Sequence, residues 1–131
     1  MNTNIATWHE VIFNQDKAKL LEILADDVVF HSPVVHAPQI GKKLTFMYLS
    51  VAFLVFFNDT FKYVREVVND SETLLEFEVE IDGILINGID MISWNDEGKI
   101  TSFKVMLRPL KAVNLIHHKM GELLMKYQNK K

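Results

Sequence analysis

The sequence predicts an α+β domain in which N-terminal helices pack on an antiparallel sheet, and three observations predict it. Up to about residue 57, apolar residues recur at spacings of three and four. From there the period falls to two over four runs, marked off by the turn signals Asn58-Asp59, Asn69-Asp70-Ser71, Asp82-Gly83 and Asn95-Asp96-Glu97-Gly98. Helical spacing returns after Arg108-Pro109, at Leu110, Val113, Met120, Leu124 and Tyr127. Helices first and a meander after them give an α+β fold.

The elements follow in order. Thr3 or Asn4 can cap a first helix with Ile5, Trp8 and Ile12 on one side, and Asp16 can cap a second carrying Leu20, Leu21 and Leu24. ADDVVFHSP reads as a short strand stopped by Pro33, which lacks a ladder donor and biases the residue before it to extended geometry. HAPQIG reads as a loop. Lys42 to about Phe57 reads as a third helix, apolar at Leu44, Met47, Tyr48, Val51, Leu54 and Val55. Its stretch FMYLSVAFLVFF is 12 residues long, and a bilayer-crossing helix needs about 20. A buried helix and no membrane span are expected.

With 131 residues, 49% of them hydrophobic, the chain is expected to form one domain over residues 1–131. It has no cysteine, so nothing implies disulfides, thiolate chemistry or a cysteine-based metal site. A net charge of -3 and 14 scattered basic residues argue against a nucleic-acid surface. MNTNIATWHEVIF lacks a basic segment followed by an apolar run, so a cytoplasmic protein is expected.

One carboxylate stands out, in the stretch GIDMISWNDEG. A two-residue turn at Asp82-Gly83 pairs Ile81 with Ile84, Val79 with Ile86, Phe77 with Gly88 and Leu75 with Asp90, and directly opposed residues share a face. Asp90 therefore falls on the apolar side. A four-residue loop at Asn95–Gly98 would set it opposite Phe103, with Val105 and Leu107 continuing that side. The other side holds Glu76, Glu78, Glu80, Asn87, Lys104 and Arg108. An ionised carboxylate among apolar groups is costly, so such an acid either finds donors, here the Trp8 indole or a helix terminus, or stays neutral. Gly88 is expected to leave space beside Asp90 for a ligand atom or another backbone.

Through LADDVVFHSP, a glycine (Gly41) opening the third helix, and GIDMISWNDEGKITSFKV, the chain resembles the nuclear transport factor 2-like domains, and within them the SnoaL-like proteins. The resemblance covers nearly the whole chain and implies a curved antiparallel sheet, a cystatin-like roll, around a cone-shaped cavity. That scaffold hosts isomerases, cyclases, hydrolases, dehydratases and non-enzymes, so it identifies a fold and leaves activity open. The ketosteroid isomerases of this group place an oxyanion-hole aspartate at the position of Asp90, a general base at the position of Ser32 and an oxyanion-hole tyrosine at the position of Trp8. His31, beside Ser32, is an alternative base. Period two turns His31 away from the cavity if Phe30 and Ser32 face it, unless a bulge intervenes.

The candidate catalytic residues are thus Asp90, Ser32 and His31. The expected ligand-lining residues are Trp8, Phe30, Tyr48, Leu75, Phe77, Val79, Ile86, Gly88, Phe103, Val105 and Leu107. No metal or cofactor is expected: Glu76, Glu78 and Glu80 fill the outer face of one strand with no histidine beside them, Arg65 can pair with Glu76, and adjacent His117 and His118 point about 100° apart. Leu85, Ile89, Met91 and Met106 on the outer face suit a homodimer. Two functions stay open: an isomerase- or cyclase-type enzyme using Asp90 in an apolar pocket, or a non-catalytic carrier, sensor or interaction module.

Overall fold

The computed structural model describes residues 3–129, with side chains through residue 126, so Tyr127 lies outside the described side chains. The elements are α1 (Thr3–Asn14), α2 (Lys17–Ile23), β1 (Leu24–His31), β2 (Gln39–Ile40), α3 (Lys42–Phe56), β3 (Lys62–Val68), β4 (Glu72–Ile81), β5 (Ile84–Trp94), β6 (Ile100–Arg108) and α4 (Leu110–Asn129). The strands form one curved, open sheet in the order β2-β1-β6-β5-β4-β3. All neighbours are antiparallel except β1 and β6, which run parallel.

Local chemistry sets most element ends. The Asp16 carboxylate accepts from the Lys19 N–H at 3.0 Å and caps α2. Thr3 and Asn4, expected as caps of α1, lie inside it. Leu24 leaves the helix with extended backbone and starts β1, because its side chain is buried opposite Ile100. Gly41 enters α3 at a φ of 106°, a conformation that strongly favours glycine, while its N–H donates to the Val28 carbonyl at 2.8 Å. HAPQIG is not wholly a loop: Gln39 and Ile40 pair with Phe30 and Val29, covering the outer edge of β1.

The Asp82-Gly83 turn, with φ values of 52° and 79°, is a two-residue hairpin, and every β4–β5 pair predicted from it is present, Leu75 opposite Asp90 included. The β5–β6 register differs from expectation. The connection runs over five residues, from Asn95 to Lys99, and a bulge follows between Ser93 and Trp94. Asp90 therefore faces Val105, while Phe103 faces Ile92. Two slips of one residue restore the original face, so the inward direction of Asp90 survives.

The inner face of the central strands is covered, whereas β3 is exposed except at Tyr63. One core cluster joins Trp8, Val11 and Ile12 of α1 with Leu20, Val28, Phe30, Leu49, Phe53, Leu75, Ile92 and Phe103. A second joins Val51 and Val55 of α3 with Phe77, Val79, Ile86 and, from α4, Ala112, Ile116 and Met120. The outer face stays open, with Val67, Leu85 and Met106 exposed. No described helix is long and apolar enough to cross a membrane.

Candidate functional site

Asp90 sits where the two core clusters meet. β5 alternates buried and half-buried residues from Ile86 to Trp94, and Asp90 occupies one of its buried positions with 9% of its surface exposed. No hydrogen bond or ion pair joins its carboxyl to any described residue, and burial alone pushes its pKa from 3.8 to about 8. A carboxyl deprived of water holds its proton because the charged form cannot be solvated. At neutral pH it is therefore a hydrogen-bond donor with nothing to donate to.

What it faces is a narrow hollow of about 50 Å³. That volume holds a few water molecules and falls well short of the roughly 300 Å³ at which ligand pockets begin. Its wall is aromatic: Trp8, Phe30, Phe53, Phe61, Phe77 and Phe103 contribute rings, together with Phe56, Phe57 and Tyr63. Ile12, Leu49, Ala52 and Val105 complete it. The rings occupy most of the interior that a cone-shaped cavity would leave open. Four surface grooves formed by described residues are roomier, and those four are lined by neither Asp90 nor Tyr63.

Tyr63 is the second polar group of the hollow. Its phenol oxygen accepts a hydrogen bond from the Trp8 indole N–H at 3.1 Å, so its own proton is free to point elsewhere. Burial raises its pKa well above 10.0, and the nearby Asp90 charge raises it further against the opposing bond from Trp8. Both groups are thus protonated at neutral pH. The indole expected as a partner for Asp90 serves the phenol instead.

The expected site residues divide. Trp8, Phe30, Phe77, Phe103, Val105 and Asp90 line the hollow. Leu75, Val79 and Ile86 are buried packing residues beside or beyond it, and Tyr48 lies outside it against Phe30, ring centroids 5.5 Å apart. Gly88 leaves no room for a ligand: a Cβ there would come within 2.5 Å of the Phe77 ring and 2.7 Å of Leu107, which already fill that side. Ser32 does not line the hollow either, and its hydroxyl accepts from the Val34 N–H at 3.2 Å in a tight local turn. His31 pairs with Lys104, on the face opposite to Phe30. Neither reaches Asp90.

Tyr63 escaped the sequence because of one extra residue. Arg65 opposes Glu76, as expected, and forms an ion pair with it at 3.3 Å. Continuing that register would set Tyr63 opposite Glu78 on the outer face, but a bulge at Val64 sets it opposite Phe77 on the inner one. The only signal was composition, since Phe61 and Tyr63 are the aromatic residues nearest the strand's start.

No family model matches the chain, and no curated protein matches it. Solved structures do. A steroid delta-isomerase from Pseudomonas aeruginosa is 32% identical, with a TM-score of 0.90 over 97% of this chain and 93% of that one. A bacterial protein with a cystatin-like fold from Silicibacter pomeroyi is 29% identical, with a TM-score of 0.87 over 95% of this chain and 87% of that one. A nuclear transport factor 2-like protein of unknown function from Mesorhizobium loti shares the fold at 17% identity and a TM-score of 0.69, covering 82% and 89% of the two chains. The curved sheet, the helices on its inner face and this likeness agree, and the chain belongs to the nuclear transport factor 2-like family.

Proposed function

We propose that the hollow binds a small, mainly apolar molecule that carries a carbonyl or similar oxygen, and that Asp90 and Tyr63 both donate hydrogen bonds to that oxygen. The observation that carries this reading is the neutral, unpartnered carboxyl of Asp90 in an aromatic wall. Donors held in a dry site act strongly on an oxygen that gains negative charge, which is how an isomerase- or cyclase-type reaction would be accelerated. Trp8 keeps the phenol in place, a positioning role. The likeness to a steroid delta-isomerase supports chemistry at such an oxygen.

Among the described residues, Asp90 and Tyr63 are the only titratable ones lining the hollow, with Ser32 and His31 outside it. With both of these protonated, no described residue of the lining is a free base that could take a proton from a substrate carbon. This favours a binder, carrier or sensor over an enzyme that needs a separate base. The two are separated by Asp90→Asn, because an amide still donates a hydrogen bond but cannot transfer a proton. Stabilising compounds are first found by a thermal-shift screen of small aryl and alicyclic ketones. A carrier keeps most of its affinity in Asp90→Asn and loses it in Asp90→Leu. An enzyme converts a stabilising ketone over hours, and Asp90→Asn slows the conversion while binding persists, because an amide is a weaker donor than a neutral carboxyl. Equal affinity in wild type and Asp90→Leu contradicts both.

The outer face has its own role in this reading. A groove of about 460 Å³ there has an apolar floor, including Val67, Leu74, Ile89 and Met106, and a polar ladder of Arg65, Glu76, Asn87 and Arg108. The mixture of apolar residues and both charge signs suits a second copy of the chain. Sedimentation equilibrium is expected to give a dimer, and Met106→Lys to shift it toward monomer; a wild-type monomer at high concentration contradicts the assignment.

A further inference from the structure

The hollow lies close beneath the surface beside the C-terminal ends of α1 and α3. A surface groove of about 410 Å³ runs between the C-terminal ends of α1 and α3, and it shares Ile12, Phe53 and Phe57 with the hollow. These three side chains are common to both. Ile12 and Phe53 are 3% and 5% exposed and belong to the main core cluster, inside their helices. Phe57 differs. It is half-buried, lies one residue beyond α3 with extended backbone, and its N–H is held by the Phe53 carbonyl at 3.1 Å.

The chain after Phe57 is clipped to the sheet. Asn58 Oδ1 accepts from the Thr60 N–H at 2.8 Å, Asn58 Nδ2 donates to the Glu80 carbonyl at 2.9 Å, and Thr60 Oγ1 accepts from the Glu80 N–H at 2.9 Å. The backbone on both sides is therefore fixed while the Phe57 ring rests on Phe53 and Phe61, centroids 5.9 and 4.5 Å away. A rotation about its χ1 widens the passage between groove and hollow while Ile12 and Phe53 stay in place in their helices. Groove and hollow would then be continuous, a slot walled by flat rings with more room than the hollow alone.

We propose that Phe57 is the residue past which a ligand enters the hollow and which sets that ligand's size. That a ligand is held there by Asp90 and Tyr63 rests on the reading of the hollow as a binding site; the entry route does not, so the two can fail separately.

Hydrogen exchange of the two indole N–H groups by NMR tests the route without any ligand. Phe57→Ala is expected to speed exchange at Trp8 by about tenfold or more, since water then reaches its bond to Tyr63. Trp94 serves as the internal reference, because its indole donates to Thr73 Oγ1 at 3.1 Å, away from the hollow. Phe57→Leu should give a smaller acceleration at Trp8 and covers the case in which the alanine variant folds poorly. Leu54→Ala, which lines the groove but not the hollow, should leave both indoles unchanged. Equal acceleration at both indoles, or none at Trp8, overturns the route. For size, acetophenone and 2-acetylnaphthalene are compared: Phe57→Ala should favour the larger ketone by about tenfold relative to wild type. An equal gain for both overturns the sizing role. Binding of neither, with selective acceleration at Trp8, leaves the entry route standing and removes the donor site.

Discussion

Asp90 and Gly88 lie two residues apart on one strand and do opposite things to the interior. Gly88 is there because the rings around it need its space, with the Phe77 ring on one side and Leu107 on the other. Gly88→Ala forces one of them to move, and overpacking of this kind costs about 1–3 kcal/mol. Chemical denaturation should register that loss, and adding Phe77→Leu to the same chain should recover most of it; an additive double variant would contradict the contact. Tyr63→Phe deletes the acceptor of the Trp8 indole and leaves a buried donor unpaired, at a cost of about 1–3 kcal/mol. The Trp8 indole proton should shift upfield in the NMR spectrum of that variant. An unshifted proton would mean that the phenol is not its partner.

At the scale of elements, register separates what was legible from what was not. The β4–β5 pairing could be read because a two-residue Asp82-Gly83 turn admits one register, and that register turned Asp90 inward. The β5–β6 pairing was misjudged by two residues, since loop length and bulges leave little trace in sequence, yet the face was right because the slips summed to an even number. A single bulge at Val64 had the opposite effect and hid Tyr63. Deleting Val64 should leave Tyr63 opposite Phe77 in a regular ladder. The Trp8 to Tyr63 bond is then expected to persist, seen as an unchanged Trp8 indole shift, and its loss would show that the bulge places the phenol by bending the strand. The filling of the hollow by Phe53, Phe56, Phe57 and Phe61 was invisible for a different reason: alternation gives a side chain's face, whereas occupancy depends on how helices from elsewhere in the chain cross it.

For the molecule as a whole, one buried acid couples stability to pH. Asp90 is neutral in the folded chain up to about 8, whereas the unfolded chain ionises near 3.8. Between those values the unfolded state has lost a proton that the folded state retains, so this group's contribution falls as pH rises from about 4 to about 8 and is level above that range. The slope is on the order of 1.4 kcal/mol per pH unit from this group alone. Asp90→Asn should therefore match wild type near the bottom of the range and exceed it by a few kcal/mol at the top. The same coupling links fold to the proposed function, in which the proton held in the interior is the one offered to a ligand. The most direct measurement is a titration of the Asp90 side-chain carboxyl by ¹³C NMR in the intact protein. A midpoint near 8 is the predicted result; a midpoint near the usual aspartate value would mean an ionised, solvated carboxylate and would contradict the donor site.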